Sequence, residues 1–88
     1  MDNPVSKKLS ELIHADGRTV ARICREGGGV TPVTLHAYKD GRRLPDTFAR
    51  MIKVADTLNL GKRDWNALCA AYHDAIKEQA KAARGVES

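Results

Sequence analysis

Residues 19–46, TVARICREGGGVTPVTLHAYKDGRRLPD, hold the signals for two short helices and the turn between them. Thr19 is an N-cap residue type, because its hydroxyl can accept a hydrogen bond from one of the unpaired N–H groups of a first helical turn. Val20, Ile23 and Cys24 then fall on one helical stripe. Gly27-Gly28-Gly29 ends that helix, since each glycine costs about 1 kcal/mol relative to alanine. Thr31-Pro32 repeats the start signal, a cap followed by a proline whose missing N–H is no loss at the first helical position. The second helix runs through Val33, Leu35, Tyr38 and Lys39, and Gly41 is the residue expected to turn left-handed after it. The helix has room for about two turns. The connector Arg42-Arg43-Leu44-Pro45 leads to Asp46 or Thr47 as the next cap.

Outward from this block the same logic gives three more helices. Upstream, Asn3-Pro4 caps a helix over 4–15 with Val5, Leu9, Leu12 and Ile13 inward, closed by Asp16-Gly17. Downstream, Phe48, Met51, Ile52, Ala55 and Leu58 define the expected inner face of a fourth helix that stops at Asn59-Leu60-Gly61. A fifth, expected over 62–83, places Trp65, Leu68, Cys69, Tyr72 and Ile76 on one stripe. Residues 85–88 read as a tail. The pattern predicts an all-α fold: one compact five-helix domain over 1–84, with the helix pair 19–41 presented on one side.

Composition agrees with a helical bundle. The 88 residues include only one Trp, two Tyr and one Phe, so the core must be mainly aliphatic. A domain of this size buries only about 60 to 65 per cent of its unfolded surface. The net charge is +4, unevenly spread. Between Arg18 and Lys53 lie eight cations and three anions, a local +5 that leaves −1 for the remainder. Clustered cations are what a surface facing a polyanion requires. Cys24 and Cys69 lack any C-x-x-C partner and sit among aliphatic and alanine neighbours, as buried free thiols do. The opening MDNPVSKKL has no apolar stretch of the signal-peptide kind, and no run approaches about 18 apolar residues, so a cytoplasmic, non-membrane protein is expected.

The block 19–46 resembles the helix-turn-helix of the phage Cro and lambda-repressor (Xre-type) family. Thr19, Ile23-Cys24, Gly28, Thr31, Leu35, Tyr38 and Gly41-Arg42-Arg43-Leu44-Pro45 carry the resemblance, which extends over roughly Lys8 to Tyr72. The turn is one residue longer than in the family, and Val20 stands where a polar residue is common. The resemblance implies a lambda-repressor-like fold and makes the helix after Thr31 the recognition helix. By the same resemblance Val33, Thr34, His36 and Ala37, beside Pro32, would face the major groove. There small apolar groups can touch a thymine methyl and an imidazole can donate to a purine edge. Thr19, Arg22, Thr31, Lys39, Arg42 and Arg43 would meet phosphates, with the N–H groups at the two helix starts.

Other chemistries have little to stand on. His14, His36 and His73 fall on three separate helices with no metal-ligand spacing, so no metal or cofactor is expected. The glycine triplet follows no strand and lacks the lysine of a phosphate loop. No catalytic set is visible, and an enzyme is not expected. The expected function is sequence-specific binding of double-stranded DNA as a transcriptional regulator, of repressor type. The expected protein is a homodimer on a palindromic operator, joined through Tyr72, Ile76 and nearby alanines. The rival is a protein-interaction module, antitoxin-like, that docks a partner through the stripe of Trp65, Tyr72 and Ile76. RNA binding is less well supported, for want of an exposed aromatic platform.

Overall fold

A computed structural model describes residues 3–83, which form five helices: α1 Pro4–Asp16, α2 Val20–Gly27, α3 Pro32–Lys39, α4 Phe48–Leu58 and α5 Lys62–Ala83. There is no strand among the described residues. Among the described residues no helix is long and apolar enough to cross a membrane.

Side-chain capping sets the helix starts. Asn3 Oδ1 accepts from the Ser6 N–H at 2.8 Å and Ser6 Oγ accepts from the Asn3 N–H at 2.8 Å, a reciprocal capping box at α1. Thr19, Thr31 and Thr47 accept from the N–H groups of Arg22, Thr34 and Arg50. Thr47, not Asp46, is therefore the cap of α4. The ends are left-handed residues: Gly17 (φ 84°), Gly28 (φ 77°) and Asn59 (φ 55°).

The core joins Val5, Leu9 and Ile13 of α1 to Ile23 of α2, Leu35 and Tyr38 of α3, Met51, Val54 and Leu58 of α4, and Leu68 and Ala75 of α5. α1 packs along α5 and against α3, while α2 bridges α3 and α4. The connector is tied down by Tyr72, whose hydroxyl donates to the Pro45 carbonyl at 2.9 Å, and Pro45 itself is fully buried.

Two inward assignments from the sequence are corrected. Phe48 and Ile52 are 54% and 43% exposed, and Val54 is buried in their place. At 100° per residue the buried positions 51, 54, 55 and 58 form one stripe, and 48 and 52 lie roughly 70° and 110° round from its centre. The apolar periodicity of α4 fits both stripes, and packing on α2 selects the one containing Val54. Similarly in α5 the stripe centres on Leu68 and Ala75, leaving Ile76 at its exposed edge.

The glycine run does more than turn the chain. Gly28 supplies the positive φ, but Gly27 and Gly29 are needed for space. A Cβ at Gly27 would overlap the Thr57 backbone, and one at Gly29 would come within 2.6 Å of Thr57 Oγ1. Thr57, buried on α4, accepts from the Gly29 N–H at 3.1 Å and donates to the Lys53 carbonyl at 2.8 Å. The end of α2 thus lies directly on the α4 backbone.

Gly27→Ala is accordingly expected to destabilise by about 1 to 3 kcal/mol through forced separation of α2 and α4. Gly28→Ala meets nothing within 4 Å and carries only the left-handed backbone cost of about 1 to 2 kcal/mol. Thermal or urea melts of both variants, with Thr57→Gly added to each, check this. The Thr57 change, which leaves the overlapped backbone in place, should rescue neither, whereas a mere loss of turn flexibility would rank Gly28→Ala as the worse.

Candidate nucleic-acid interface

α3 is held from one side only. Leu35, Ala37 and Tyr38 are buried, and the Ser10 hydroxyl of α1 donates to the Lys39 carbonyl at 3.4 Å. At its start the Thr31 hydroxyl accepts from the Thr34 N–H and donates to Thr34 Oγ1 at 2.9 Å. At its end Gly41, with φ 80°, reverses the chain. The N–H groups of Arg42 and Arg43 both return to the Ala37 carbonyl, at 3.0 and 3.3 Å, and that of Gly41 to Tyr38. This Schellman closure brings the two arginines back beside the helix they follow.

The outward face is Pro32, Val33 and His36. Val33 is 76% exposed, the largest exposure of any bulky apolar residue described. Ala37, expected to reach a base edge, is corrected: it is only 6% exposed. At 100° per residue it lies about 100° round from Tyr38, outside the core cluster that holds Leu35 and Tyr38, and the Arg42–Arg43 backbone folds back to its carbonyl. Thr34 is half-buried and its hydroxyl is engaged with Thr31, to the side of the Val33–His36 face.

The expected phosphate-facing residues divide by their present partners. Thr19 and Thr31 are exposed at the starts of α2 and α3 and serve as caps. Arg22 pairs with Glu26 at 2.7 Å, Lys39 approaches Asp40 at 3.4 Å, and Arg42 approaches Asp40 at 3.4 Å. Arg43 is exposed and in none of the ion pairs among the described residues. Two cations not assigned from the sequence join this surface. Arg50 and Lys53 of α4 line a small cleft with Thr31, Thr34 and Tyr38 at the start of α3. Arg50 is 3.9 Å from Asp46, and Lys53 is in none of the ion pairs among the described residues. Both belong to the basic segment that the charge distribution marks, but only the α2–α4 crossing brings them beside α3.

Arg18 closes the loop between α1 and α2. It bonds both Asp16 oxygens, at 2.6 and 2.8 Å, and reaches Glu26 at 2.8 Å. Hydrogen bonds from Arg18 hold the Asp16 carboxyl below the usual range, and those from Arg22 and Arg18 do the same for Glu26. Burial pushes the Cys24 and Cys69 thiols up, away from reactive thiolate. Among the described residues no group of three or more His, Cys, Asp or Glu side chains could hold a metal ion. Comparison with protein-family models, with curated proteins and with solved structures returns no match to this chain.

The lowered carboxyls give a signed expectation. A depressed folded pKa contributes stability that is present above the unfolded value and lost as pH falls through the folded one. Melts of the wild type and Arg18→Met should therefore differ near neutrality, begin to approach one another as pH falls through the ordinary carboxylate range, and meet only below the depressed folded values. A gap that stays constant on acidification would mean that Arg18 acts through packing alone.

Proposed function

We propose that the chain is a sequence-specific duplex-DNA-binding regulator of the helix-turn-helix kind, with α2 and α3 as the motif and α3 as the recognition helix. The observation that carries this reading is the outward face of α3. An exposed valine and an exposed histidine lie on a helix anchored from behind, with Arg50 and Lys53 beside its start and Arg42 and Arg43 following its end. A recognition helix requires that kind of arrangement: side chains near its N-terminal end meet base edges while neighbouring cations hold phosphates.

In this reading Val33 packs on a thymine methyl and His36 donates to a purine acceptor. Arg43 and Lys53 take phosphates without giving up an ion pair. Arg42 and Arg50 exchange their carboxylate contacts for phosphate, and Thr34 lies on the phosphate side of the helix. Arg22 and Lys39 would have to leave Glu26 and Asp40, and they are secondary. Occupancy of an operator is sufficient for repression, and the proposed action needs no cofactor.

Selection of bound duplexes from a random pool tests the class, and a recovered consensus is expected. On that consensus four phosphate-binding cations predict a log–log salt slope of about −3 to −4 per bound chain. Arg43→Ala should weaken consensus and random duplexes by similar factors, because phosphate contacts carry no sequence information. Val33→Asn should instead change the preferred base at one or two positions, each worth about 1 to 3 kcal/mol, without loss of helix content. No enrichment from the pool, together with a slope shallower than about −1, would exclude the reading.

A further inference from the structure

The flank of the molecule between α4 and α5 is an open wedge. Phe48 and Trp65 meet across its mouth with ring centroids 5.6 Å apart, tilted by 55°. Ile52 and Leu60 continue the apolar lining of a groove of about 510 Å³. Phe48 and Ile52 stand out as well as line it, so the surface carries both a projection and a hollow. A patch with both shapes can match itself about a two-fold axis, where residue i meets j and j meets i.

The charges on the rim have the same property. Asp56 and Lys62 both line the groove, one on α4 and one at the start of α5, and neither enters an ion pair among the described residues. Each also has the wrong sign for its own helix. Asp56 lies in the last turn of α4, where the helix dipole favours a cation, and Lys62 is the first residue of α5, where it favours an anion. A charge set against its own helix is explained when its partner lies on another molecule.

We propose that this wedge is the docking surface for a second copy of the chain. In the two-fold dimer Phe48 and Ile52 of each subunit enter the groove of the other, and each Asp56 faces Lys62 of the partner subunit. The surface is separate from the α3 face and does not depend on the DNA-binding reading. It is an alternative to the Tyr72–Ile76 stripe, in which the Tyr72 hydroxyl is engaged with the Pro45 carbonyl of its own chain.

The test is a charge-exchange experiment on the full chain by sedimentation velocity over roughly 1 to 300 µM, with emission of the single Trp as a second readout. The wild type should dimerise, with Trp65 emission shifting to the red on dilution. Asp56→Lys and Lys62→Asp each place like charges twice in the dimer and should weaken it roughly tenfold or more. Both changes suit the helix dipoles, so neither should lower the melting temperature of the dilute, monomeric protein. An equimolar mixture of the two variants restores both pairs and should dimerise as the wild type does. Binding of either variant to a DNA half-site, measured separately, should remain, so loss of dimer and loss of DNA binding are distinguishable. A wild type that stays monomeric throughout, single variants that dimerise like the wild type, or a mixture that stays monomeric would each overturn the proposal. Saturable capture of a helical peptide in the groove of a monomeric wild type would also overturn it.

Discussion

The close approach of α2 to α4 governs the geometry of this protein. Where Gly27 meets Thr57, two backbones touch with no side chain between them, and Gly29 rests against the buried Thr57 hydroxyl, which is satisfied from both sides. That contact fixes where α2 ends and hence where Thr31 can start α3. It also brings Lys53 and Arg50 of α4 to the first turn of α3. The glycines therefore set the position of a charged cleft as well as the path of a turn.

The surface then separates into two kinds of chemistry. Around α3 the exposed groups are Val33, His36 and a set of cations, a mixture suited to a polyanion with apolar and hydrogen-bonding features on its floor. Between α4 and α5 the exposed groups are Phe48, Ile52 and the edge of Trp65, rimmed by single charges of opposite sign. Electrostatics suit the first surface to long-range attraction, whereas the second gains from removing apolar area from water. One small core supports both because α1, packed against α3 and α5, leaves the outer side of each helix uncovered.

Local signals were legible in the sequence wherever one or two residues decide the outcome. Asn3-Pro4, Thr19 and Thr31-Pro32 start helices, and Gly17, Gly28, Gly41 and Asn59 turn the chain, each for a reason contained in its own side chain or in the lack of one. The all-helical fold follows from these and from the apolar stripes. What could not be read locally depends on a neighbour. The burial of Ala37 goes with the arginine segment that returns to its carbonyl, and the exposure of Phe48 requires that α2 choose the other of two possible stripes on α4. Arg50 and Lys53 are visible as charge, but their place beside Thr31 is a property of the helix crossing. Gly27 and Gly29 read as a turn because the strand of backbone that excludes their Cβ atoms lies about thirty residues away in sequence.

The most direct measurement of the central claim is a residue-resolved NMR titration of the protein with its preferred duplex, following backbone amides and valine methyls. The account predicts that the largest changes fall on residues 31–36, on Arg42 and Arg43, and on Arg50 and Lys53, with the Val33 methyls among the most affected. The Phe48–Ile52–Trp65 groove should be unchanged at fixed protein concentration. Changes concentrated in that groove, with α3 left as it was, would contradict the assignment of α3 as the DNA-reading element.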